Sequence, residues 1–452
     1  MNTIRDDANQ IIQDAIAAVL PDEAVYRALT NHRFSGKRLF LVAIGKAGYQ
    51  MARAAYQMTL PGPAGEAPLL PAFTDGIVIT KYGHVQAPIP GITCLEAGHP
   101  VPDENSYAST KAVIDMVTPL TEDDTVLFLV SGGGSALFEN PLVPGEEMQD
   151  ITGQLLGCGA DIAEMNTIRK RLSAVKGGKF AKLCAPARIY SIVLSDIVGD
   201  PLDMIASGPA VVDTATCEDA LNIVTKYQLN LSDAAMDCLH RETPKELHNV
   251  ETVITGSVRE LCTAALCSCK KLGYQSLMLT DTLTWEASDA GRALVELILP
   301  ILAGDPVTNP FLPVDSSAVE VPQDSLHNLA LVLGGETVVH LHGNGLGGRN
   351  QELVLSAAVT LLEHMEQLTD SVEIGLFSVG SDGTDGPTDA AGGYIDTEML
   401  IKVQSQGINL RSYLDNNDAY HALEQIHGLI TTGPTGTNVN DVAVLLLRRK
   451  ES

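Results

Sequence analysis

Residues 38–58 read RLFLVAIGKAGYQMARAAYQM, and this stretch decides the class of fold. Arg38–Ile44 is a short apolar run typical of a buried strand, and Lys46–Met58 has the spacing of a helix. Short apolar runs alternate with longer helical patterns along most of the chain, which indicates parallel sheets covered by helices. We therefore predict an α/β protein.

The length of 452 residues indicates two or three domains. A second series of strands and helices begins near Glu251, so we predict domains at 1–245 and 246–452. Residues 304–325 are rich in Pro, Asp and Ser and are expected to form an exposed loop. The strands predicted after the first are 76–80, 125–130, 188–194, 252–254, 276–280, 329–333, 337–342, 372–379 and 441–447. The longer helices predicted in the second domain are 258–271, 287–302 and 350–367.

The chain is strongly acidic, with a formal net charge of −27. Such a chain repels nucleic acid and anionic membranes, so neither is an expected partner. An anionic substrate would need a local cationic pocket set against this overall charge. Each Lys or Arg beside a Gly-rich turn is therefore a candidate for binding such a substrate.

The sequence also bears on the compartment. The eight cysteines form no CxxC pair and no zinc spacing, which is typical of core thiols in a reducing compartment. The N-terminus lacks the features of a signal peptide. The longest apolar stretch, 293–303, contains Glu296 and Pro300 and is too short to span a bilayer. A cytoplasmic location is expected.

Gly-rich turns follow two predicted strands in the N-terminal half. In doubly wound sheets, ligands bind at the carboxyl ends of strands, where loops lead into helix N-termini. Lys46 could reach such a ligand as a point charge, although a solvated surface lysine is an equally good interpretation. The second turn can form a nest of N–H donors around a phosphate, or a tight turn without a ligand; it consists of Ser131, Gly132, Gly133, Gly134 and Ser135. No Walker A motif and no protein-kinase signature occurs.

Asp196 follows the predicted strand at 188–194 and would lie at the same sheet edge. A carboxylate there can hold Mg²⁺ or accept the proton of a substrate hydroxyl. The alternative is that Asp196 caps the next helix.

The C-terminal half contains a possible dinucleotide-binding pattern. Gly343, Gly345 and Gly348 fit G-x-G-x-x-G, but the acidic residue expected roughly 20 positions later would be Asp382, which lies too far along the chain. Arg349 begins the next predicted helix, where a cation opposes the helix dipole unless an anion offsets it. Arginine at such a place is suited to a bidentate grip on phosphate or carboxylate.

Residues 380–389 form the last candidate site. Asp382 and Asp385 lie in this Gly-rich stretch and could bind Mg²⁺, although the spacing is not that of an EF-hand. An ordinary loop of Asx-turns is the alternative.

Together, these stretches resemble the glycerate 2-kinase family, whose C-terminal part is known as the MOFRL domain and would lie here at about 328–447. One such motif is weak evidence, whereas the ordered set is specific. The matching stretches are 44–48, 96–103, 131–135, 176–178, 194–196, 199–200, 207–209, 334–337, 347–352, 383–386 and 432–441.

The resemblance implies an enzyme that phosphorylates D-glycerate on its 2-hydroxyl, with ATP and Mg²⁺. It also implies a Rossmann-like parallel-sheet N-terminal domain, a smaller α/β C-terminal domain with a mixed sheet, and an active site between them. The family's active-site residues fall here on Lys46, Asp196 and Arg349. We expect Lys46 and Arg349 to neutralise the γ-phosphoryl group and the glycerate carboxylate, and the Ser131–Ser135 turn to bind nucleotide phosphates.

Two alternatives and two departures accompany this interpretation. An NAD(P)H-dependent hydroxypyruvate reductase is favoured only by the three glycines at 343–348, and a sensor would bind ligand without turnover. Trp285 and Ser288 stand where the family usually has Gly and Arg, and the stretch 304–325 is longer than expected. The general base and the metal preference stay open, as does assembly into a homo-oligomer.

Overall fold

The computed structural model describes residues 3–62, 65–303, 305, 307–312, 328–365 and 372–449. The chain forms two compact units, one from Pro21–Thr255 and one from Met1–Leu20 with Gly256–Ser452. This differs from the predicted division at residue 245. The strand near residue 250 belongs to the first sheet, and helix α1 (Ile4–Ala18) groups with the C-terminal half.

The Pro21–Thr255 unit is built around one six-stranded sheet. Its strands are β1 (Arg38–Ile44), β2 (Phe73–Lys81), β3 (Thr93–Ala97), β4 (Asp124–Val130), β5 (Arg188–Leu194) and β6 (Val250–Gly256). Its helices are α2 (Pro21–Thr30), α3 (Gly48–Gln57), α4 (Glu104–Val117), α5 (Gly134–Leu137), α6 (Gly145–Gly157), α7 (Ile162–Leu172), α8 (Lys179–Cys184), α9 (Cys217–Tyr227) and α10 (Asp233–Leu239).

The strand order is β3-β2-β1-β4-β5-β6, and β1 to β5 pair in parallel. This is the order of the Rossmann fold, so the prediction of a Rossmann-like parallel sheet is confirmed. The order reverses between β1 and β4, and ligands of such sheets bind outside the carboxyl ends of the strands at this switch point.

The apolar runs of these strands supply two cores, one on each face of the sheet. In β1, Phe40, Val42 and Ile44 pack into one core, whereas Leu39, Leu41 and Ala43 pack into the other. Alternate side chains of a strand point to opposite faces, so a continuous apolar run is required where helices cover both. Strand β4 is buried at all seven positions for the same reason.

The other unit contains a mixed sheet of order β11-β10-β9-β12-β8-β7, which confirms that prediction. Strands β7 and β8 pair in parallel, and the remaining neighbours pair antiparallel. The strands are β7 (Gln275–Leu283), β8 (Asn328–Gly335), β9 (Val372–Gly380), β10 (Gly392–Asp396), β11 (Leu429–Ile430) and β12 (Asp441–Arg449). The helices after α1 are α11 (Val258–Lys271), α12 (Ala287–Ala303), α13 (Arg349–Glu363), α14 (Thr397–Gln406), α15 (Leu410–Asp415) and α16 (Ala419–Gln425).

Helix α1 is held in this unit by apolar and polar contacts. Its stripe at Ile4, Ala8, Ile11 and Ala15 is buried with residues of α11 and of the sheet. Asp7 forms an ion pair with Arg448 and accepts a hydrogen bond from Tyr274 (2.8 Å). The N-terminal helix therefore belongs to a fold whose remaining elements begin after residue 255.

Most predicted elements are present, with three corrections. The predicted strand at 337–342 is wrong: this segment is irregular apart from a single bridge at Val338. Strands β3, β10 and β11 and helices α14 to α16 were not predicted. Of the predicted loop at 304–325, residues 304, 306 and 313–325 lie outside the described residues, whereas Val307 and Phe311 are buried rather than exposed.

Candidate active site

Two loops at the carboxyl edge of the parallel sheet are locked together at the switch point. The Lys46 amide donates to the Gly132 carbonyl (2.9 Å). The Ser131 hydroxyl donates to the Ile44 carbonyl (3.2 Å) and accepts from the Ala47 amide (3.1 Å). Lys46 and the Ser131–Ser135 loop are therefore positioned as one piece.

This close approach requires glycine at residue 45. Gly45 has a φ of 108°, and a Cβ there would lie 2.3 Å from the Ser131 hydroxyl oxygen. Only glycine adopts such a conformation without strain and leaves room for the neighbouring loop. The glycine that precedes Lys46 thus permits the contact between the two loops.

Asp196 lies against the same loop. A Cβ on Gly132 would lie 2.2 Å from Asp196 Oδ2, so the carboxylate contacts the glycine backbone directly. On Gly133 a Cβ would lie 3.2 Å from Lys46 Cγ. The structure therefore brings Lys46, the Ser131–Ser135 loop and Asp196 together, and we call this group the carboxyl-edge site.

Three further cationic or titratable side chains surround this site, and the sequence interpretation gave them no role. Lys81 ends β2, His84 follows it with Nδ1 2.9 Å from the Lys46 carbonyl oxygen, and His99 follows β3. Burial lowers the pKa of His99 below its usual value, and the charges of Lys46, Lys81 and His84 lower it further. Lys46, Lys81, His84 and His99 thus lie close enough in this unit to interact, and the sequence signal for them is their position at or just after the end of a strand.

Buried polar contacts hold the end of the Ser131–Ser135 loop in place. The Lys176 ammonium group, which is fully buried, donates to the Ser135 carbonyl (2.6 Å) and to Glu139 (2.5 Å). Burial lowers the pKa of Lys176 to about 8. The Ser135 and Ser207 hydroxyl oxygens lie 2.9 Å apart, and Ser207 donates to Asn166 (3.1 Å). These contacts fix the end of the loop because an unpaired buried ammonium or hydroxyl group is costly.

Arg349 lies in the other unit, at the first position of α13. Its guanidinium donates to both oxygens of Asp441, from Nε (2.5 Å) and Nη2 (3.1 Å), and its Nη1 lies 3.1 Å from Glu336. Burial opposes the charge, but the contacts with Asp441 and Glu336 raise the pKa of Arg349. Arg349 makes the expected bidentate grip, but its partner in the structure is a carboxylate of the protein itself.

The two aspartates predicted as metal ligands differ in their contacts. Asp385 is buried, and its carboxylate accepts from the backbone amides of Asn350 (3.1 Å) and Gln351 (2.9 Å), so it caps α13. Asp382 is partly exposed and accepts from the Thr384 amide (3.0 Å), as in an Asx-turn. Within the described part of the chain, no three His, Cys, Asp or Glu side chains form a metal-binding group.

The glycines of the possible dinucleotide fingerprint have another role. A Cβ on Gly343 would lie 2.3 Å from the Asn416 carbonyl oxygen, and one on Gly345 would lie 2.4 Å from Asp418 Cβ. On Gly348 it would lie 2.3 Å from Asp385 Cγ. The segment follows irregular chain rather than a strand, so these glycines accommodate neighbouring loops and do not form a dinucleotide-binding turn.

Trp285 and Ser288, which replace the usual family residues, have local explanations. The Trp285 ring packs on Phe311, with centroids 5.1 Å apart, and so covers part of the segment after α12. Ser288 accepts a hydrogen bond at its carbonyl from the Ser356 hydroxyl (2.6 Å). Neither side chain contacts Arg349 in the hydrogen bonds and ring contacts of the described residues.

Family models match both halves of the chain. Residues 7–240 match a domain of unknown function named DUF4147, and residues 329–441 match the MOFRL family. The second match lies within the predicted MOFRL region of about 328–447. Among the helices that the structure describes, none has the length and apolar character needed to cross a membrane.

Characterised relatives and a solved structure agree with these matches. The chain is 45% identical over 443 residues to D-glycerate 2-kinase of Thermotoga maritima, which covers 97% of each chain. It is 36% identical to glycerate 2-kinase of Pyrococcus horikoshii, over 99% of this chain and 98% of the relative. A crystal structure of glycerate kinase from Thermotoga maritima superposes with a TM-score of 0.85 at 43% identity, over 98% of this chain and 99% of the other.

The fold and the comparisons define a two-unit α/β protein with a Rossmann-like sheet and a MOFRL region. The chain belongs to the glycerate 2-kinase family.

Proposed function

We propose that this chain transfers the γ-phosphoryl group of ATP to the 2-hydroxyl of D-glycerate, which yields 2-phosphoglycerate and ADP. Family membership supports the reaction. The observation that carries it to particular residues is the convergence of Lys46, the Ser131–Ser135 loop and Asp196 at the switch point of the sheet. Phosphoryl transfer depends mainly on alignment and on neutralisation of charge, and this site supplies both.

Each part of the carboxyl-edge site has a proposed role. The Ser131–Ser135 loop binds phosphate oxygens through its backbone and hydroxyl donors. Lys46 neutralises charge on the γ-phosphoryl group, and Asp196 orients the 2-hydroxyl or ligates the metal ion. Arg349 binds the glycerate carboxylate, for which it must exchange its contact with the half-exposed Glu336 while keeping Asp441.

The residues fit a magnesium ion held mainly by the nucleotide. Mg²⁺ commonly binds through one or two carboxylates together with substrate phosphates, so a group of three protein ligands is not required. Asp196 would hold the ion in the carboxyl-edge site. In the other unit, Asp382 is a second candidate, and Asp385 is the weaker one because backbone amides already occupy its oxygens. When bound, the ion supplies charge neutralisation on the phosphate oxygens. The expected cytoplasmic location and the oligomeric state stay predictions.

The test is identification of the product. The purified protein is incubated with ATP, Mg²⁺ and D-glycerate, and phosphorus NMR follows the appearance of 2-phosphoglycerate. A product phosphorylated at the 3-position, or ADP release that is independent of glycerate, would contradict the proposal. Incubation with hydroxypyruvate and NADH, monitored by absorbance, is the control for the reductase interpretation, and no loss of NADH is expected.

A further inference from the structure

His99 reaches across the sheet to the loop at the switch point. It follows β3, which lies two strands away from β1 at the edge of the sheet, yet its ring contacts the glycine loop after β4. A Cβ on Gly133 would lie 2.8 Å from both Nε2 and Cδ2 of the ring. The Nε2 edge of the imidazole therefore faces the loop backbone.

The same glycine also contacts Lys46. The hypothetical Cβ lies 3.2 Å from Lys46 Cγ, so the imidazole and the lysine stem flank one point on the loop. On the other side, the Asp196 carboxylate lies against Gly132. An anion bound beside Gly133 would therefore lie near the side chain of Lys46 and near one ring nitrogen of His99.

The charge state of the ring follows from this position. His99 is half-buried, and its neighbours Lys46, Lys81 and His84 contribute positive charge, so the neutral imidazole is favoured in the free protein. A neutral imidazole carries one N–H donor and one acceptor nitrogen. Oriented donors directed at the place where charge develops are an effective means of stabilising a phosphoryl-transfer transition state.

We propose that His99 is a further catalytic residue, which donates a hydrogen bond from Nε2 to the phosphoryl group that is transferred at Gly133. This inference rests on the proposed kinase function and adds a residue to its site. His99 acts beside Lys46 as a second contact to the same phosphoryl oxygens. In this proposal the 2-hydroxyl oxygen forms the new P–O bond as the bond between the γ- and β-phosphates breaks, ADP leaves, and the hydroxyl proton passes to Asp196 and not to His99.

The first experiment compares two substitutions that differ only in whether a donor is kept. H99Q places an amide N–H near the position of Nε2, whereas H99A removes the donor. We expect H99A to lower kcat with ATP on the order of 10² to 10³-fold, and H99Q to retain activity within about tenfold of the wild type. H240A, which changes an exposed histidine at the end of α10, is the matched control and should leave kcat unchanged.

The outcomes separate the alternatives. Near-wild-type turnover in H99A would overturn the proposal. If H99Q were as inactive as H99A and both lost the acidic limb of the pH–rate profile, His99 would be the general base and the donor role would be wrong. Thermal unfolding of each variant shows whether a loss of activity reflects a loss of folding.

A second experiment does not require turnover. The ring resonances of His99, assigned by comparison with H99Q, are followed by NMR over a pH series with and without ADP, and separately with inorganic phosphate. An anion at Gly133 stabilises the protonated ring, so the pKa of His99 should rise when ADP or phosphate binds. An unchanged pKa at saturating ADP would overturn the contact. If the wild type formed no phosphoglycerate, the proposed function would fail, whereas this measurement would still decide whether His99 contacts a bound phosphate.

Discussion

At the scale of single residues, backbone hydrogen bonds hold Lys46 in place, and its side chain extends to the carboxyl-edge site. Its amide and carbonyl groups bond Gly132 and His84, so substitution of the side chain should leave the loop in place. We predict that K46A lowers kcat/KM on the order of 10² to 10³-fold with little change in thermal stability, because a cation is lost where phosphoryl charge develops.

The matched control for K46A is K111A, since Lys111 is exposed and pairs with Asp115 on the same helix. Both variants are assayed for ADP release and for melting temperature. Turnover of K46A close to that of K111A would remove Lys46 from the proposed mechanism.

Arg349 couples function to stability, because Asp441 is buried and depends on it for charge compensation. Removing one partner of a buried ion pair is destabilising, so R349A should lower the free energy of unfolding by about 3 kcal/mol as well as abolish turnover. Replacing both partners by apolar residues is often tolerated, so R349L/D441L should recover stability but not activity. Denaturant unfolding and the kinase assay measure the two effects, and recovery of turnover in the double variant would contradict a role for Arg349 in binding.

The sequence singled out candidate site residues but did not predict their partners. Lys46, Asp196 and Arg349 stand out because each follows a strand or begins a helix next to glycines. The pairing of Arg349 with Asp441 joins positions 92 residues apart, and Asp441 is held by the pairing of β12 with both β8 and β9. His99 was likewise hidden, since it reaches the site from an edge strand that the sequence did not predict.

At the scale of elements, the glycine loop can be tested against a helix glycine. A Cβ on Gly132 would overlap the Asp196 carboxylate, so G132A should displace it and lower kcat/KM by at least tenfold. Gly153 lies exposed inside α6 with no atom near its missing Cβ, so G153A should stabilise the protein by about 0.5–1 kcal/mol and leave activity unchanged. Enzyme kinetics and denaturant unfolding are measured for G132A and G153A. Full activity in G132A would show that activity does not depend on the contact between the loop and Asp196.

The start of α13 distinguishes a helix cap from a metal ligand. Asp385 accepts two helix amides, so D385A should lower the free energy of unfolding by about 2 kcal/mol without changing the Mg²⁺ concentration for half-maximal activity. D196N, by contrast, should raise that concentration. A higher Mg²⁺ requirement in D385A than in the wild type would instead assign Asp385 to the metal.

The helices and strands that were predicted correctly are those whose local sequence pattern determines their type and their bounds. Strand β1 and helix α11 have the predicted bounds, because an unbroken apolar run and a clear helical period leave no alternative. The wrong strand at 337–342, TVVHLH, begins with three β-branched residues, but Val338 and Leu341 are exposed and the segment forms only an isolated bridge, from Val338 to Glu286, among the described residues. Strand β3 was missed because it is short and only partly buried at the edge. The local sequence pattern indicates only the propensity of a segment to form a strand, whereas the availability of a neighbouring strand depends on the whole fold.

At the scale of the whole molecule, acid should destabilise the Pro21–Thr255 unit through three carboxylates. Hydrogen bonds lower the pKa values of Asp124, Glu164 and Glu242 to about 2, mainly from Arg38, Lys226 and the Cys217 amide respectively. A depressed carboxyl pKa contributes stability that is present above the unfolded value of about 4 and is lost as the pH falls through the folded value. The melting temperature should therefore drop between about pH 4.5 and pH 2.

The control for this acid effect is E164Q, in which residue 164 has no carboxyl group to titrate. Compared with the wild type by circular dichroism, it should melt lower at pH 7 and equally at pH 2, since protonation has then removed the same contact from both proteins. An equal difference at both pH values would mean that the charge of Glu164 contributes nothing.

The place of α1 has a consequence for how the chain is made. During synthesis, Asp7 is added 441 residues before its ion-pair partner Arg448. The apolar stripe of α1 stays without a partner while the whole parallel sheet is completed. The nascent chain therefore carries an exposed apolar stripe until α11 and the strands of the mixed sheet have been made.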